Sequence, residues 1–347
     1  MTTADPGFAL PSGFEPLAEH GRVLEVVLTA LEQVEEQLDS ALGFDDLFSD
    51  TAAHHLLAAG GKRVRPVLTV LASLLGDPAL ASGEVADVDA PARQAAVVME
   101  LTHLATLYHD DVMDEAAKRR GVESANSRWS NTVAILSGDY LLAEASRLMS
   151  EIDTATVRHF AETFSDLVTG QMRETIGAGE ANAVEHYTAV IREKTAVLIA
   201  SAGYLGAYHS GASAEHAAAL HRIGGAIGMI FQIVDDVIDI FSDPKESGKT
   251  PGTDLREGVF TLPVLYALEE EGEVGDKLRE LLTGPLHSDA EVERAIELLH
   301  QSGGRQKALE DITAYLRVVE EQLAVLPENS ASQALRQLAD YTVRRVG

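Results

Sequence analysis

Apolar residues recur at helical spacing along most of the chain. Between Leu24 and Leu42 they are mostly three or four residues apart, which places them on one face of a helix. The alternation of apolar and polar residues that marks half-buried strands is scarce, whereas the helix formers Ala, Leu and Glu are abundant. Further helices are predicted at about residues 63–75, 91–113, 132–150, 154–176, 184–209, 214–242, 259–270, 288–302, 304–324 and 330–345.

The breaks between these segments contain the residues that interrupt helices. The three main breaks, at 76–91, 118–131 and 243–258, contain Gly, Pro, Asn and Asp. None is long enough, or low enough in complexity, to be an interdomain linker, and no repeat of fixed period occurs. The pattern therefore predicts an all-α fold with one domain at residues 19–347, preceded by a flexible tail at residues 1–18.

Composition narrows the range of partners. The formal charge is −28, from 55 acidic and 27 basic residues, and such a surface repels nucleic acid and anionic lipid. Cysteine is absent, so disulfides, thiolate metal sites and cysteine nucleophiles are excluded. No signal peptide and no apolar run long enough to span a bilayer is recognised. A soluble, cytoplasmic protein is expected.

Two clusters of aspartates each follow a long apolar segment: Asp110, Asp111 and Asp114, and Asp235, Asp236 and Asp239. The first and last members of each cluster are four residues apart and share a helix face, where like charges destabilise the helix unless a cation compensates them. Ligands that are all oxygen favour Mg²⁺, which is usually shared with substrate phosphates. A solvated helix end or a general acid–base pair is the alternative for one cluster, but two matched clusters exceed what either requires.

Basic residues supply the positive charge that an acidic protein needs to hold a phosphorylated substrate. The segment 60–66 combines two glycines with Lys62, Arg63 and Arg65 at the start of a helix, where backbone N–H groups also favour anions. Three consecutive basic residues, at 118–120, follow the first aspartate cluster. Lys194 and Lys249 complete the set. Singly each would be an ordinary surface residue, but with the aspartates they indicate a diphosphate site.

In these segments the sequence resembles the trans-isoprenyl diphosphate synthases, and within that family the long-chain polyprenyl branch. The resemblance is continuous over about residues 50–270. The order and spacing of the matching motifs are highly specific. The motifs are GGKRVRP (60–66), LTHLATLYHDDVMD (101–114), RRG (119–121), SGDYLL (137–142), TGQ with Glu174 (169–174), KTA (194–196), FQIVDDVID (231–239), and GTDLREG followed by TLP (252–263).

The resemblance implies a helical bundle of the isoprenoid synthase type around a central cavity, and a homodimer. It also implies Mg²⁺-dependent, head-to-tail condensation of isopentenyl diphosphate with an allylic diphosphate, with three ions once substrate is bound. All six aspartates become candidate metal ligands, with Asp111 and Asp236 in less defined roles. Isopentenyl diphosphate would be bound by Lys62, Arg65, His103 and Arg120. The allylic diphosphate would be bound by Arg119, Lys194 and Lys249, and Thr195 and Gln232 would line the place where its cation forms.

Two positions bear on the substrates more finely. Many family members carry Lys after the glycine of the loop that follows the second cluster, whereas this chain has Val259, which puts one allylic diphosphate contact in doubt. In the family the product grows beside the helix of the first cluster, and a bulky residue one turn before the aspartates stops it. Here those places hold Ala105 and Thr106, so a long product is expected, of the kind used as a quinone side chain.

Three alternatives stay open. One is a short-chain geranylgeranyl or farnesyl diphosphate synthase, since the expectation of a long product depends on Ala105 and Thr106. A terpene cyclase of the same fold usually lacks an intact second aspartate cluster and has little need for Lys62 and Arg65. A non-catalytic partner subunit typically loses the aspartates, all six of which are present here.

Overall fold

The computed structural model describes residues 14–43, 47–82, 84, 87–242 and 251–344. Helices make up nearly all of the regular structure in these ranges. They are α1 (Gly21–Ala41), α2 (Leu47–Ala58), α3 (Val64–Gly76), α4 (Pro78–Ser82), α5 (Ala90–Met113), α6 (Ala125–Arg128), α7 (Asn131–Ser150), α8 (Thr154–Ile176), α9 (Ala183–Ile191), α10 (Val197–His209), α11 (Ala214–Phe241), α12 (Thr253–Glu257), α13 (Leu262–Leu268), α14 (Glu273–Leu281), α15 (Asp289–Gln301), α16 (Gly304–Leu323) and α17 (Ser330–Arg344).

A short 3₁₀ helix, Glu15–Glu19, precedes α1. Its Leu17 is fully buried and Phe14 is buried beside it in the chain. Burial of two large apolar side chains ties this part of the chain to the protein. The ordered chain therefore extends back to at least residue 14, into the stretch that was predicted to be a tail, and the rest of that stretch lies outside the described residues.

The chain forms two compact units. Unit 1 comprises residues 1–164, 198–224 and 322–338, and unit 2 comprises 165–197, 225–321 and 339–347. Several of the boundaries fall inside helices, among them α8 and α11, rather than in linkers. The boundaries between the units therefore do not follow the breaks in the sequence pattern.

Each unit is built around apolar helices. In unit 1, every residue of α3 from Pro66 to Leu75 is buried, and thirteen residues of α5 are buried as well. Helices that are apolar on most faces belong inside a bundle. In unit 2, buried side chains from the end of α11 through α15 and the loop before α15 form one cluster: Ile240, Leu255, Val264, Ala267, Leu278, Leu282, Leu286, Val292, Ala295, Leu298 and Leu299.

A strand pair and a widened helical turn interrupt the α-helical pattern of the described residues. Strands β1 (Lys118–Arg119) and β2 (Val122–Glu123) pair antiparallel, with Arg119 opposite Val122. Between α9 and α10 the helix widens into one π-turn, Arg192–Ala196. Both features carry predicted site residues, and π-turns inside helices are frequent at functional sites.

None of the described helices combines the length and the apolar character needed to cross a membrane.

Candidate functional site

The first aspartate cluster lies at the C-terminal end of α5, where the helix dipole favours cations. Asp111 is fully buried, and its Oδ1 accepts a hydrogen bond of 2.6 Å from Nε of Arg119. Nη2 of the same guanidinium lies 3.8 Å from Oδ2 of Asp114, which is exposed. The other oxygen of Asp111 is buried and has no hydrogen-bond partner among the described residues. Burying a carboxylate oxygen in this way costs free energy unless a hydrogen-bond donor or a cation binds it.

The carboxylates of this cluster fit a metal that is bound together with its substrate. Within the described ranges, no three acidic, histidine or cysteine side chains converge closely enough to hold an ion by themselves. Mg²⁺ usually takes one or two carboxylates and completes its octahedron with water and phosphate oxygens. An all-oxygen cluster with an unsatisfied carboxylate oxygen is therefore a suitable donor set for Mg²⁺ carried by a diphosphate.

A tight hairpin directs the two adjacent arginines to different places. Arg120 and Gly121 form its two-residue turn, and both have positive φ, 52° and 81°. Such turns match the twist of the strands but strain a residue other than glycine. Arg120 is held there by its Nη1, which donates to the carbonyl oxygens of Leu56, at 2.9 Å, and of Gly60. The side chain of Arg119 thus contacts the aspartates, whereas that of Arg120 contacts the loop before α3.

Near that loop the predicted isopentenyl diphosphate ligands form a basic cluster. Burial lowers the pKa of Arg65 to about 10, an effect that Glu100 opposes and Arg120 reinforces. Burial also brings the pKa of His103 well below its usual range, and the charges of Arg65 and Arg120 lower it further. At neutral pH the arginines are cations and His103 is a neutral imidazole with one N–H donor. Lys62 is exposed in the same loop.

The chain-length positions lie between the basic cluster and the aspartates on α5. Ala105 is fully buried, and Thr106 is half-buried with its hydroxyl donating to the His103 carbonyl at 2.9 Å. The nearby Tyr108 is also buried, but its hydroxyl bonds to the backbone of α2, at 2.7 Å from the Ala52 oxygen. The bulky ring of Tyr108 therefore forms part of the contact between α5 and α2.

In the second cluster, on α11, the central aspartate is surrounded by hydrogen-bond donors. The Tyr187 hydroxyl donates to Oδ2 of Asp236 at 2.5 Å, and Nε2 of Gln232 donates to Oδ1 at 3.1 Å. Burial raises the pKa of Asp236 to about 7, although both hydrogen bonds oppose the shift. Thr195 donates to Oε1 of Gln232 at 3.4 Å, so both residues predicted to line the cation site lie in one chain of contacts with this cluster.

The last aspartate of the cluster, Asp239, is buried and organises the segment that follows. Its backbone oxygen accepts from the Gly252 amide at 2.8 Å, and its Oδ2 accepts from the Asp254 amide at 3.3 Å. Asp235 is half-buried on the same helix. The second cluster thus combines one partly accessible carboxylate with two that hydrogen bonds hold in place.

Lys194 and Thr195 lie in the π-turn. Gly170 of α8 permits a close approach there, since a Cβ on it would lie 2.5 Å from the backbone nitrogen of Lys194. The Lys194 ammonium forms an ion pair with Glu174, one α8 turn beyond Gly170. The TGQ and KTA motifs are therefore two sides of one contact in unit 2.

Replacing Tyr187 with Phe is expected to raise the Mg²⁺ concentration that gives half-maximal activity about 10-fold. The change removes a donor that orients Asp236, and such outer partners typically contribute about 10–100-fold to metal affinity or activity. A magnesium titration of the activity that the family resemblance implies would measure it. Tyr266→Phe is the matched control, because Tyr266 makes a similar 2.6 Å hydrogen bond to Asp311 in the same unit. Equal responses of the two variants would contradict the role assigned to Tyr187.

The structure places the predicted residues in two groups. Unit 1 holds the first aspartate cluster, the arginine pair, Lys62, Arg65, His103, Ala105 and Thr106, and unit 2 holds the second cluster, Lys194, Thr195 and Gln232. Lys249 lies outside the described residues. Val259 is exposed and brings no charge to the loop after the second cluster. Tyr187, Glu35 and Glu100 contact predicted residues or their loop and were not among the candidates.

Comparison with known proteins gives consistent matches along the chain. The sequence profile of the polyprenyl synthetase family matches residues 48–299. Nonaprenyl diphosphate synthase of Mycobacterium tuberculosis is 49% identical over 324 residues, which cover 92% of this chain and 94% of that protein.

Solved structures extend these matches to the fold. Geranylgeranyl pyrophosphate synthase of Corynebacterium glutamicum, in complex with calcium and isoprenyl diphosphate, is 53% identical, with a TM-score of 0.84 and full coverage of both chains. Decaprenyl diphosphate synthase of Rhodobacter capsulatus is 31% identical, with a TM-score of 0.84 and coverage of 94% of this chain and 99% of that one. The predicted all-α fold of the isoprenoid synthase type is confirmed.

Proposed function

Because the chain belongs to the polyprenyl synthetase family, we propose that it condenses isopentenyl diphosphate head-to-tail with an allylic diphosphate to make a long-chain, all-trans polyprenyl diphosphate. One observation carries the proposal: α5 bears two sites of opposite charge. Its end presents carboxylates with an unsatisfied oxygen, and His103, two turns earlier, lies among arginines. The first suits a diphosphate that arrives with metal, and the second suits a diphosphate bound directly by cations.

Two diphosphate sites distinguish chain elongation from the alternatives. A terpene cyclase ionises one diphosphate and has little use for the cluster of Arg65, His103 and Arg120. A non-catalytic subunit has no need of aspartates that are buried and hydrogen-bonded, as Asp111 and Asp236 are. Both alternatives leave one of these arrangements unexplained.

We assign metal binding to the aspartates of each cluster, with three Mg²⁺ ions when substrate is bound. When bound, Mg²⁺ neutralises the departing diphosphate, so that the allylic C–O bond can break without proton transfer to it. Arg119, which Asp111 orients, and Lys194 contribute further positive charge for that diphosphate. Thr195 and Gln232 offer only weakly nucleophilic groups near the allylic cation, and water must be excluded there.

The basic cluster holds the second substrate. Its cations fix the diphosphate of isopentenyl diphosphate, so that the alkene faces the allylic carbon. A carbon–carbon bond forms to that carbon, and the proton released from the adjacent position passes to the departing diphosphate. In this scheme no protein nucleophile is needed.

A long product is supported by two kinds of observation. Relatives that span nearly all of the chain are named nonaprenyl and decaprenyl diphosphate synthases. In the chain itself, Ala105 is small and Tyr108 is committed to α2. The short-chain alternative, which the name of the Corynebacterium enzyme represents, is less favoured.

The test uses the purified full chain with labelled isopentenyl diphosphate, farnesyl diphosphate and Mg²⁺. After phosphatase treatment, prenyl alcohols longer than C20 are expected on reversed-phase chromatography. Products that stop at C20, or products formed from dimethylallyl diphosphate but not from farnesyl diphosphate, would establish the short-chain alternative. No incorporation with either primer would favour a partner subunit. A homodimer is part of the proposal, and sedimentation of the active protein would measure its mass.

A further inference from the structure

Arg63 lies between Lys62 and Arg65 in the chain, yet its side chain is turned into the protein. Only 5% of its surface is exposed. It precedes the first turn of α3 with φ of 46°, in the left-handed region. A residue other than glycine adopts this conformation only where its surroundings impose it. The side chain of Arg63 is therefore the anchor of this loop.

Two carboxylates from different helices hold this anchor. Arg63 donates to Glu35 of α1 through Nε and through Nη2, the latter at 3.1 Å from Oε2. Its Nη1 donates to Oε1 of Glu100 of α5 at 3.2 Å. Burial lowers the pKa of Arg63, but the hydrogen bonds and charges of both carboxylates outweigh it and raise the pKa above the usual value. We name these three residues the Arg63 ion triad.

The Arg63 ion triad adjoins the basic cluster. Oε1 of Glu100 lies 3.9 Å from Nη2 of Arg120, and the charge of Glu100 also acts on Arg65. Gly61 leaves room for two guanidiniums, since a Cβ on it would lie 2.7 Å from Nη1 of Arg63 and 2.9 Å from Nη1 of Arg120. Like charges this close repel one another, and Glu100 offsets part of the repulsion.

We infer that the Arg63 ion triad positions Arg65, His103 and Arg120 for the diphosphate of isopentenyl diphosphate. Arg63 is then a positioning residue, because its own N–H groups are engaged by the triad. A guanidinium suits the task because its planar fork can bond carboxylates on two helices at once, which a single ammonium does less well. The inference rests on the proposed function, which assigns the basic cluster to this substrate.

The test is Arg63→Lys, which keeps a cation between the carboxylates and removes the fork. We expect KM for isopentenyl diphosphate to rise about 10-fold, since small displacements of positioned groups have effects of this size or larger. KM for the allylic diphosphate and kcat should change less than about 2-fold, because the aspartate end of α5 is not part of the triad. Glu35→Gln, which alters the triad from α1, should raise the same KM by about 3-fold.

Arg294→Lys is the matched control, because Arg294 makes an exposed ion pair with Glu297 in unit 2, and its kinetics should equal those of the wild type. Melting temperatures are measured for all variants. The positioning role would be wrong if all kinetic parameters of Arg63→Lys worsened in parallel, or if its KM for isopentenyl diphosphate were unchanged. In either case, turnover by the wild-type protein would leave the proposed function intact. If Arg63→Lys does not fold, Glu35→Gln decides by the same comparison. A wild-type protein that incorporates no isopentenyl diphosphate would refute the proposed function and this inference with it.

Discussion

Replacing Asp110 with Asn is expected to lower kcat for prenyl transfer about 1000-fold. The variant keeps the shape of the side chain and removes one charge from the cluster that is assigned to Mg²⁺. Metal ions stabilise such transition states by several kcal/mol, and a loss of about 4 kcal/mol corresponds to three orders of magnitude in rate. Incorporation of labelled isopentenyl diphosphate at saturating substrates would measure the effect. Asp235→Asn, in the second cluster, should behave alike.

Asp166→Asn makes a suitable control, since Asp166 is exposed on α8 and belongs to neither cluster. Its kcat should equal that of the wild type. The Mg²⁺ dependence adds a second readout, because a weakened metal site should require more Mg²⁺ for its remaining activity. If Asp110→Asn kept more than about a tenth of the wild-type rate, the assignment of Asp110 as a metal ligand would be wrong.

Replacing Ala105 with Phe is expected to shorten the main product by several isoprene units. Ala105 is fully buried on α5, one turn before the first aspartate cluster, where the family resemblance places the growing product. An aromatic ring at this point occupies the space that the lengthening chain requires. Chromatography of the dephosphorylated products would show the shift as a new, shorter principal alcohol.

Overpacking also destabilises a protein, typically by about 1–3 kcal/mol, so stability has to be measured beside product length. Ala290→Phe provides the comparison, because Ala290 is exposed on α15 and its replacement should leave the product unchanged. A folded Ala105→Phe enzyme whose product keeps its full length would show that the product runs elsewhere.

Long helices with a sustained apolar pattern could be predicted closely from sequence. The segments 132–150 and 154–176 correspond to α7 and α8 within a residue, and the buried positions of both helices recur mostly three or four residues apart. Short elements could not be predicted in this way. Helix α14 has nine residues, many of them charged, and the β1–β2 hairpin has two residues per strand, which is too short for any period.

The segment 184–209 was predicted as one helix and contains the π-turn at Arg192–Ala196. A single widened turn shifts the register without breaking the apolar pattern, so periodicity does not reveal it. In the structure the turn lies in close contact with Gly170.

The residues of the candidate site also differ in how far they could be predicted from sequence. Candidate residues that belong to local motifs, such as the aspartates, could be proposed from the sequence. Partners that arrive from distant parts of the chain could not: Arg63 meets Glu35 and Glu100, 28 and 37 residues away, and Tyr187 meets Asp236, 49 residues away. Glu100 did offer a signal, since a carboxylate inside an apolar helix requires a buried cation.

The left-handed turn at Arg120 has a consequence for the geometry of the reaction. Arg119 and Arg120 are consecutive, and their Cα atoms are about 3.8 Å apart across a trans peptide whatever the helices around them do. In the proposed reaction Arg119 binds the allylic diphosphate, and Arg120 binds the diphosphate of isopentenyl diphosphate. Because the peptide bond keeps these two Cα atoms together, both diphosphates are bound by side chains of one short hairpin while the product grows by one isoprene unit after another.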